Sequence, residues 1–208
     1  MPQSPNSDST YTEWRYQARD GLTPLQSSLV PLFEETQLFR LYSSTLMPGL
    51  LQTEGYAAAV LRAVVAELPE LPFDDSAEAA RARVERSRVV HDPERRFDLL
   101  VEESVLSHQL GDAEVMAAQL DYLLTGEALP SVSLGVIPMA RERTHLPQET
   151  FHVYDDDVVS VELVSAEMKI SQPSEIALYL RVFEQLRSMA VYGVEARALI
   201  RKALESLG

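Results

Sequence analysis

Leu46-Met47-Pro48-Gly49-Leu50-Leu51-Gln52-Thr53-Glu54-Gly55-Tyr56-Ala57 organises the reading of this chain. Pro48-Gly49 stops the element before it, read here as a helix, and Gln52 or Thr53 stands where the next helix is capped. From Glu54 onward Tyr56, Val60, Leu61 and Val64 recur at helical spacing, which predicts a helix over 54–66. Gln52 and Tyr56 lie about one helical turn apart and can face one side together. The segment therefore carries both a buried stripe and a polar rim.

Upstream, residues 1–22 read as a disordered or loosely docked lead-in. Thr23-Pro24 opens a helix over 25–42, kinked at Pro31. Downstream, Leu68 to Pro72 is a loop, and Asp75 or Ser76 caps an Ala-, Glu- and Arg-rich helix over 77–89. A strand over 97–102 leads into a short helix over 103–109, and a longer helix follows over 112–128. Val132 to Ile137 is a strand stopped by Pro138, and 141–148 is a polar surface loop. Phe151 to Val164 reads as a hairpin turning at Asp155-Asp156-Asp157. Helices over 176–192 and 195–207 close the chain. The order predicts an α+β fold, with helices packed on a small, mostly antiparallel sheet and residues 23–208 forming a single domain.

Composition narrows the function classes. Lys and Arg total 18 against 32 Asp and Glu, a formal charge of −14 that repels a phosphate backbone. Direct nucleic-acid binding is therefore disfavoured. The chain has no cysteine, which removes disulfides, thiolate catalysis and thiolate metal sites. The first residues lack the basic-then-apolar order of a signal peptide, and no stretch has the length to cross a bilayer, so a cytoplasmic protein is expected.

No reaction signature stands out. There is no Gly-x-Ser-x-Gly and no glycine-rich phosphate loop, and His91, His108, His145 and His152 lack the spacing of a helical metal pair. No metal and no cofactor are expected. Glu34-Glu35 and Asp74-Asp75 read as solvated surface. Glu102 and Glu103 sit at a strand-to-helix junction, where a cap or an ion pair with Arg96 or Arg141 is favoured over a catalytic role; His108 flanks the same junction. His152 and Tyr154 share one face of their strand, and Glu162 on the next strand can approach them, though a solvated sheet surface explains the same pattern. Arg81, Arg83, Arg86 and Arg88 alternate with glutamates and read as an ion-paired helix surface, favoured over a contact face for an acidic partner and over a DNA groove reader. The candidate ligand- or partner-binding residues are thus Gln52, Tyr56, Glu102, Glu103, His108, His152, Tyr154 and Glu162.

The segment Met47 to Ala57 resembles the signature of a C-terminal domain of unknown function in actinobacterial transcription regulators, an antitoxin-like domain that follows a phage-repressor-type helix-turn-helix. Arg83-Val84-Glu85-Arg86, Val101 to Leu106, Gly111 to Leu120, Val132 to Pro138 and Phe151 to Glu162 resemble further parts of it in the same order. The likeness spans roughly residues 30–203. Three departures stand out. Only some 25 residues precede the domain, too few for the DNA-reading unit. Ser107-His108-Gln109-Leu110-Gly111-Asp112 replaces an arginine-bearing junction. Arg141 to Pro147 replaces a glycine-richer loop.

The resemblance implies a stand-alone domain that binds a small molecule or a small partner protein tolerant of an acidic surface, without contacting DNA. The alternative is a recruited enzyme or carrier of a secondary-metabolite pathway, using a pocket between helices and sheet. The alanine-rich helix over 112–128 permits close helix contacts, which leaves a homodimer open.

Overall fold

The structure is a computed structural model that describes residues 9–68, 71–126 and 129–207. The outer part of the lead-in, the centre of the 68–72 loop and the end of the 112–128 helix lie outside the described residues. Seven strands form one open sheet in the order β1-β7-β6-β5-β2-β3-β4. They are β1 (Ser9–Glu13), β2 (Leu38–Ser43), β3 (Arg96–Glu102), β4 (Val132–Ile137), β5 (Phe151–Tyr154), β6 (Val158–Glu162) and β7 (Ala166–Ile170). β3 runs parallel to β2 and β4, and every other pairing is antiparallel, so the sheet is mixed. The fold is α+β, with helices on both faces.

Helices α2 (Leu22–Ser28), α3 (Val30–Glu35), α4 (Glu54–Glu67), α5 (Ser76–Arg86) and α6 (Ala113–Gly126) gather on one face, following the short α1 (Trp14–Gln17). On the other face α7 (Pro173–Met189) buries Ile176, Phe183, Leu186 and Met189 against Tyr42, Leu100, Phe151 and Val153. α8 (Gly193–Glu205) returns to the first face, where Ala196 and Ile200 join Phe33, Phe39, Tyr56, Leu99 and Met116 in the larger core. β3 is apolar on both faces because it is covered on both. The parallel links β2–β3 and β3–β4 need helical crossovers, which α4–α5 and α6 supply.

The Pro48-Gly49 segment folds as a rigid junction. A 3-10 turn over Gly49–Leu51 leads to Thr53, whose hydroxyl accepts the Tyr56 amide at the start of α4. The fully buried Gln119 of α6 locks the junction: Oε1 accepts Thr53 N at 2.8 Å and Nε2 donates to Leu51 O at 2.7 Å.

Several local expectations are corrected. Residues 9–22 are docked, since β1 pairs along β7 and Trp14 Nε1 donates to Leu163 O at 2.8 Å. The helix expected over 25–42 ends at Glu35, and Leu38–Ser43 is a central strand, so a strand rather than a helix precedes the Pro48 turn. Being buried on both faces, β2 lacks the polar alternation that marks a half-exposed strand. The helix over 77–89 is α5 followed by a 3-10 turn over Ser87–His91. Asp75 does not cap α5; its carboxylate accepts Leu22 N and Thr23 N at the start of α2. The element after Glu102 is a 3-10 turn over Glu103–Ser107. Asp155 does turn the hairpin, at φ 50°, while its carboxylate accepts Leu38 N at 2.8 Å.

Candidate functional site

Arg83 and Arg86 stand three residues apart on α5, continuing the stripe of Ser76, Ala79 and Ala80 that the helix buries. They therefore point inward, toward Gln26 of α2 and Gln52 of the Pro48-Gly49 junction, whereas Arg81 and Arg88 pair with Glu78 and Glu85 on the outer surface. Arg83 Nε donates to Gln26 Oε1 and its Nη1 to Gln52 Oε1, both at 3.0 Å. Arg86 Nη1 donates to Gln26 O at 2.8 Å and to Gln26 Oε1 at 3.1 Å. The Arg86 guanidinium lies 4.5 Å over the Phe33 ring, and Phe33 meets the Tyr154 ring at 6.1 Å. His152 Nδ1 is 3.2 Å from Tyr154 Oη. A continuous polar and aromatic path thus joins Arg86 to His152.

Both guanidinium groups are held by neutral amide oxygens. Among the described residues, neither has a carboxylate within 4.0 Å. Arg83 Nη2, Arg86 Nη2 and His152 Nε2 have no hydrogen-bond partner among the described residues, and Arg86 Nε is buried without one. Unmade bonds of a desolvated cation are costly, so such donors call for an explanation. Arg83, Arg86 and His152 keep some solvent contact, while burial is the largest influence on the protonation of each.

Burial lowers the Arg83 pKa, and Glu162 partly offsets it. Arg86 falls to about 10, first through burial and then through the adjacent Arg83 charge. The His152 pKa is lowered by burial; Glu162 and Glu167 pull it up, and Arg86 and Arg83 push it further down. Tyr154 is raised, by burial first and by Glu162 next, so its phenol stays protonated. The site combines two cationic donors, a neutral imidazole and a neutral phenol. Such a set can hold an oxyanion and accept a proton beside it.

Of the sequence candidates, Gln52, His152, Tyr154 and Glu162 belong to this neighbourhood. Tyr56 does not: it is fully buried, and its hydroxyl accepts Met47 N at 3.3 Å. Glu102 sits on the α7 face, where Arg143 binds it through two nitrogens at 2.8 and 2.6 Å and Tyr42 donates to it at 2.8 Å. Its ion-pair partner is therefore neither Arg96 nor Arg141, and the 141–148 loop is strapped to the body rather than free. Glu103 accepts Met139 N, with Lys202 Nζ at 3.6 Å. His108 is exposed, with Nδ1 3.0 Å from Thr45 O. These three serve local structure. Reading α5 as an ion-paired surface missed Arg83 and Arg86, although their place on the Ala79-Ala80 stripe was a usable signal.

A recess at the amino-terminal ends of β3 and β4 is lined by Arg95, Arg96, Asp98 and Ser131 among others. Its Arg95 is occupied by the carbonyls of Phe33, Glu34 and Thr36, and no histidine lines it. No group of three or more His, Cys, Asp or Glu suited to a metal occurs among the described residues. Among them, no helix is long and apolar enough to cross a membrane.

The chain belongs to the family described as a domain of unknown function (DUF5753), whose profile matches residues 26–202. A comparison with curated protein sequences found no match. Among solved structures it is similar to NucT from Helicobacter pylori, at 12% identity and a TM-score of 0.50 over 89% of this chain and 98% of that one. It also matches Nuc from Salmonella typhimurium, described as a phospholipase D family member, at 9% identity and a TM-score of 0.44, over 89% and 97% of the two chains. TrmBL2, an archaeal chromatin protein with a novel mode of DNA binding, matches at 12% identity and a TM-score of 0.40 over 93% of this chain and 56% of its own.

The likeness to NucT corrects the leading functional expectation. The fold matched over 89% of this chain is that of NucT. The antitoxin-like, regulator-like and secondary-metabolism associations find no support, since the family description states only an unknown function.

Proposed function

We propose that the chain is an enzyme whose Arg83–Arg86 recess binds a small phosphate ester and hydrolyses it with His152 as proton acceptor. One observation carries the reading: two desolvated guanidinium groups converge on Gln26 with free donors and, among the described residues, no carboxylate within 4.0 Å. Phosphate supplies the missing charge and the acceptors, and Gln26 and Gln52 pre-orient the two forks.

In the reactive tautomer, His152 Nδ1–H donates to Tyr154 Oη, so Nε2 presents its lone pair. Arg83 and Arg86 hold the non-bridging oxygens and stabilise the charge that builds on them in the transition state. A water attacks phosphorus and its proton passes to His152 Nε2. The bond to the leaving oxygen breaks, and that oxygen takes the proton from His152. The products are an alcohol and phosphate. A net charge of −14 favours a small ester over a nucleic-acid strand, which the surface repels as a whole.

The test pairs calorimetric titration with inorganic phosphate and an assay on p-nitrophenyl phosphate and bis(p-nitrophenyl) phosphate. Arg83→Met and Arg86→Met are each expected to weaken phosphate binding by about tenfold or more, the value of a lost charge-assisted contact. His152→Asn is expected to abolish turnover while phosphate still binds. A wild-type chain that neither binds phosphate saturably nor turns over either ester would overturn the proposal.

A further inference from the structure

The face of the sheet that carries His152 also holds a second unbalanced charge. β5 and β6 pair with His152 opposite Ser160, so Glu162, two residues further along β6, lies on the same face as both. β7 places Glu167 directly across from Glu162. Like charges in that position are unfavourable, and the sheet relieves only one of them. Glu167 accepts the Ser160 hydroxyl at 2.8 Å and has Lys169 Nζ at 3.5 Å. Glu162 is exposed and has no ion-pair partner among the described residues. It is nonetheless near enough to act on the charges of Arg83, Arg86 and His152.

The recess therefore has an uncompensated cationic wall on α5 and an uncompensated carboxylate on β6, separated by more than direct contact. A simple anion balances the first and leaves the second idle, and is itself repelled by it. A zwitterion balances both. Resting on the reading of Arg83 and Arg86 as the phosphate clamp, we infer that the substrate is an aminoalkyl phosphate, its phosphate on the two arginines and its ammonium group on Glu162. Glu162 is then a specificity determinant that touches substrate remote from the reacting phosphorus, and its charge discriminates against esters without a cation.

Phosphoethanolamine and ethyl phosphate differ by that cation alone and form the probe pair, titrated calorimetrically into the full chain. Wild type is expected to bind phosphoethanolamine about tenfold more tightly than ethyl phosphate, as one charge-assisted contact allows. Glu162→Gln is expected to erase the preference while ethyl phosphate binds at least as well as before. Because Glu162 is exposed and unpaired, this variant keeps the fold, which circular dichroism checks. Equal wild-type affinities, or a preference that survives Glu162→Gln, would overturn the inference and leave the phosphate clamp standing. If neither ester binds, the clamp itself fails, and the inference with it.

Discussion

Gln52 Oε1 accepts Arg83 Nη1 at 3.0 Å while the same amide's Nε2 donates to Met47 O at 2.8 Å. One buried side chain thereby fixes the Pro48-Gly49 junction and the inner guanidinium of the recess. The turn and the site are a single hydrogen-bonded unit, and changes in one should register in the other.

Replacing Gln52 by Leu removes both bonds in a residue that is 5% exposed. Arg83 Nη1 and Met47 O lose their partners, at a cost of about 1–3 kcal/mol. Urea unfolding should show an earlier midpoint with an unchanged slope, and phosphate binding should weaken in parallel. An unaltered midpoint would dissociate the turn from the recess.

His152 makes stability depend on pH. Its folded pKa lies below the unfolded 6.5 because burial, with Arg86 and Arg83, outweighs the pull of Glu162 and Glu167. In the window between the two values the unfolded chain binds more protons than the native one. The stability contributed by neutral His152 is thus complete above about 6.5 and is lost as pH falls from there through the lower folded value. His152→Gln should flatten this limb of a melting-temperature profile, and an identical limb in the variant would assign the dependence to other groups.

Arg143→Ala strips a buried carboxylate of its counter-ion. Glu102, with a side chain 5% exposed, keeps only the Tyr42 hydroxyl on that oxygen pair. Breaking one side of such a pair costs about 3–5 kcal/mol. Hydrogen exchange should accelerate across the strapped 139–147 segment before it does in β3, and uniform protection in the variant would show that the strap is held by other contacts.

Gly135 of β4 has no room for a side chain. An added Cβ would lie 2.8 Å from Cδ2 of the buried Leu100 and 2.8 Å from the ring of the exposed Tyr192. Gly135→Ala should destabilise by about 1–3 kcal/mol through overpacking. Thermal unfolding reads this directly, and a variant as stable as wild type would mean that Tyr192 moves aside without cost.

Legibility followed exposure. The hairpin at Asp155, the cap at Thr53 and the amphipathic helices were readable because each leaves a local mark: a turn residue, a hydroxyl at a helix start, a one-sided apolar stripe. β2 left none. Covered by Phe33 and α4 on one side and α7 on the other, its Leu38-Phe39-Arg40-Leu41-Tyr42 run fits a helical period as readily as a strand. β1 was hidden for a different reason, since its pairing with β7 spans most of the chain and nothing near Ser9 announces it. The shared face of His152, Tyr154 and Glu162 followed from strand alternation alone. Arg83 and Arg86 required knowing which side of α5 packs on α2 and the Pro48-Gly49 junction.

Sequence by itself determined the turn at Pro48-Gly49, the α+β mixture of elements and the acidic surface, because propensity, capping and net charge are properties of neighbouring residues or of their sum. Only the tertiary structure decided that α5 turns two of its arginines inward, onto Gln26 and Gln52 and, among the described residues, out of ion-pair reach of any carboxylate. A guanidinium is an ordinary surface charge until packing takes its water away, and desolvation depends on which distant segments close over it.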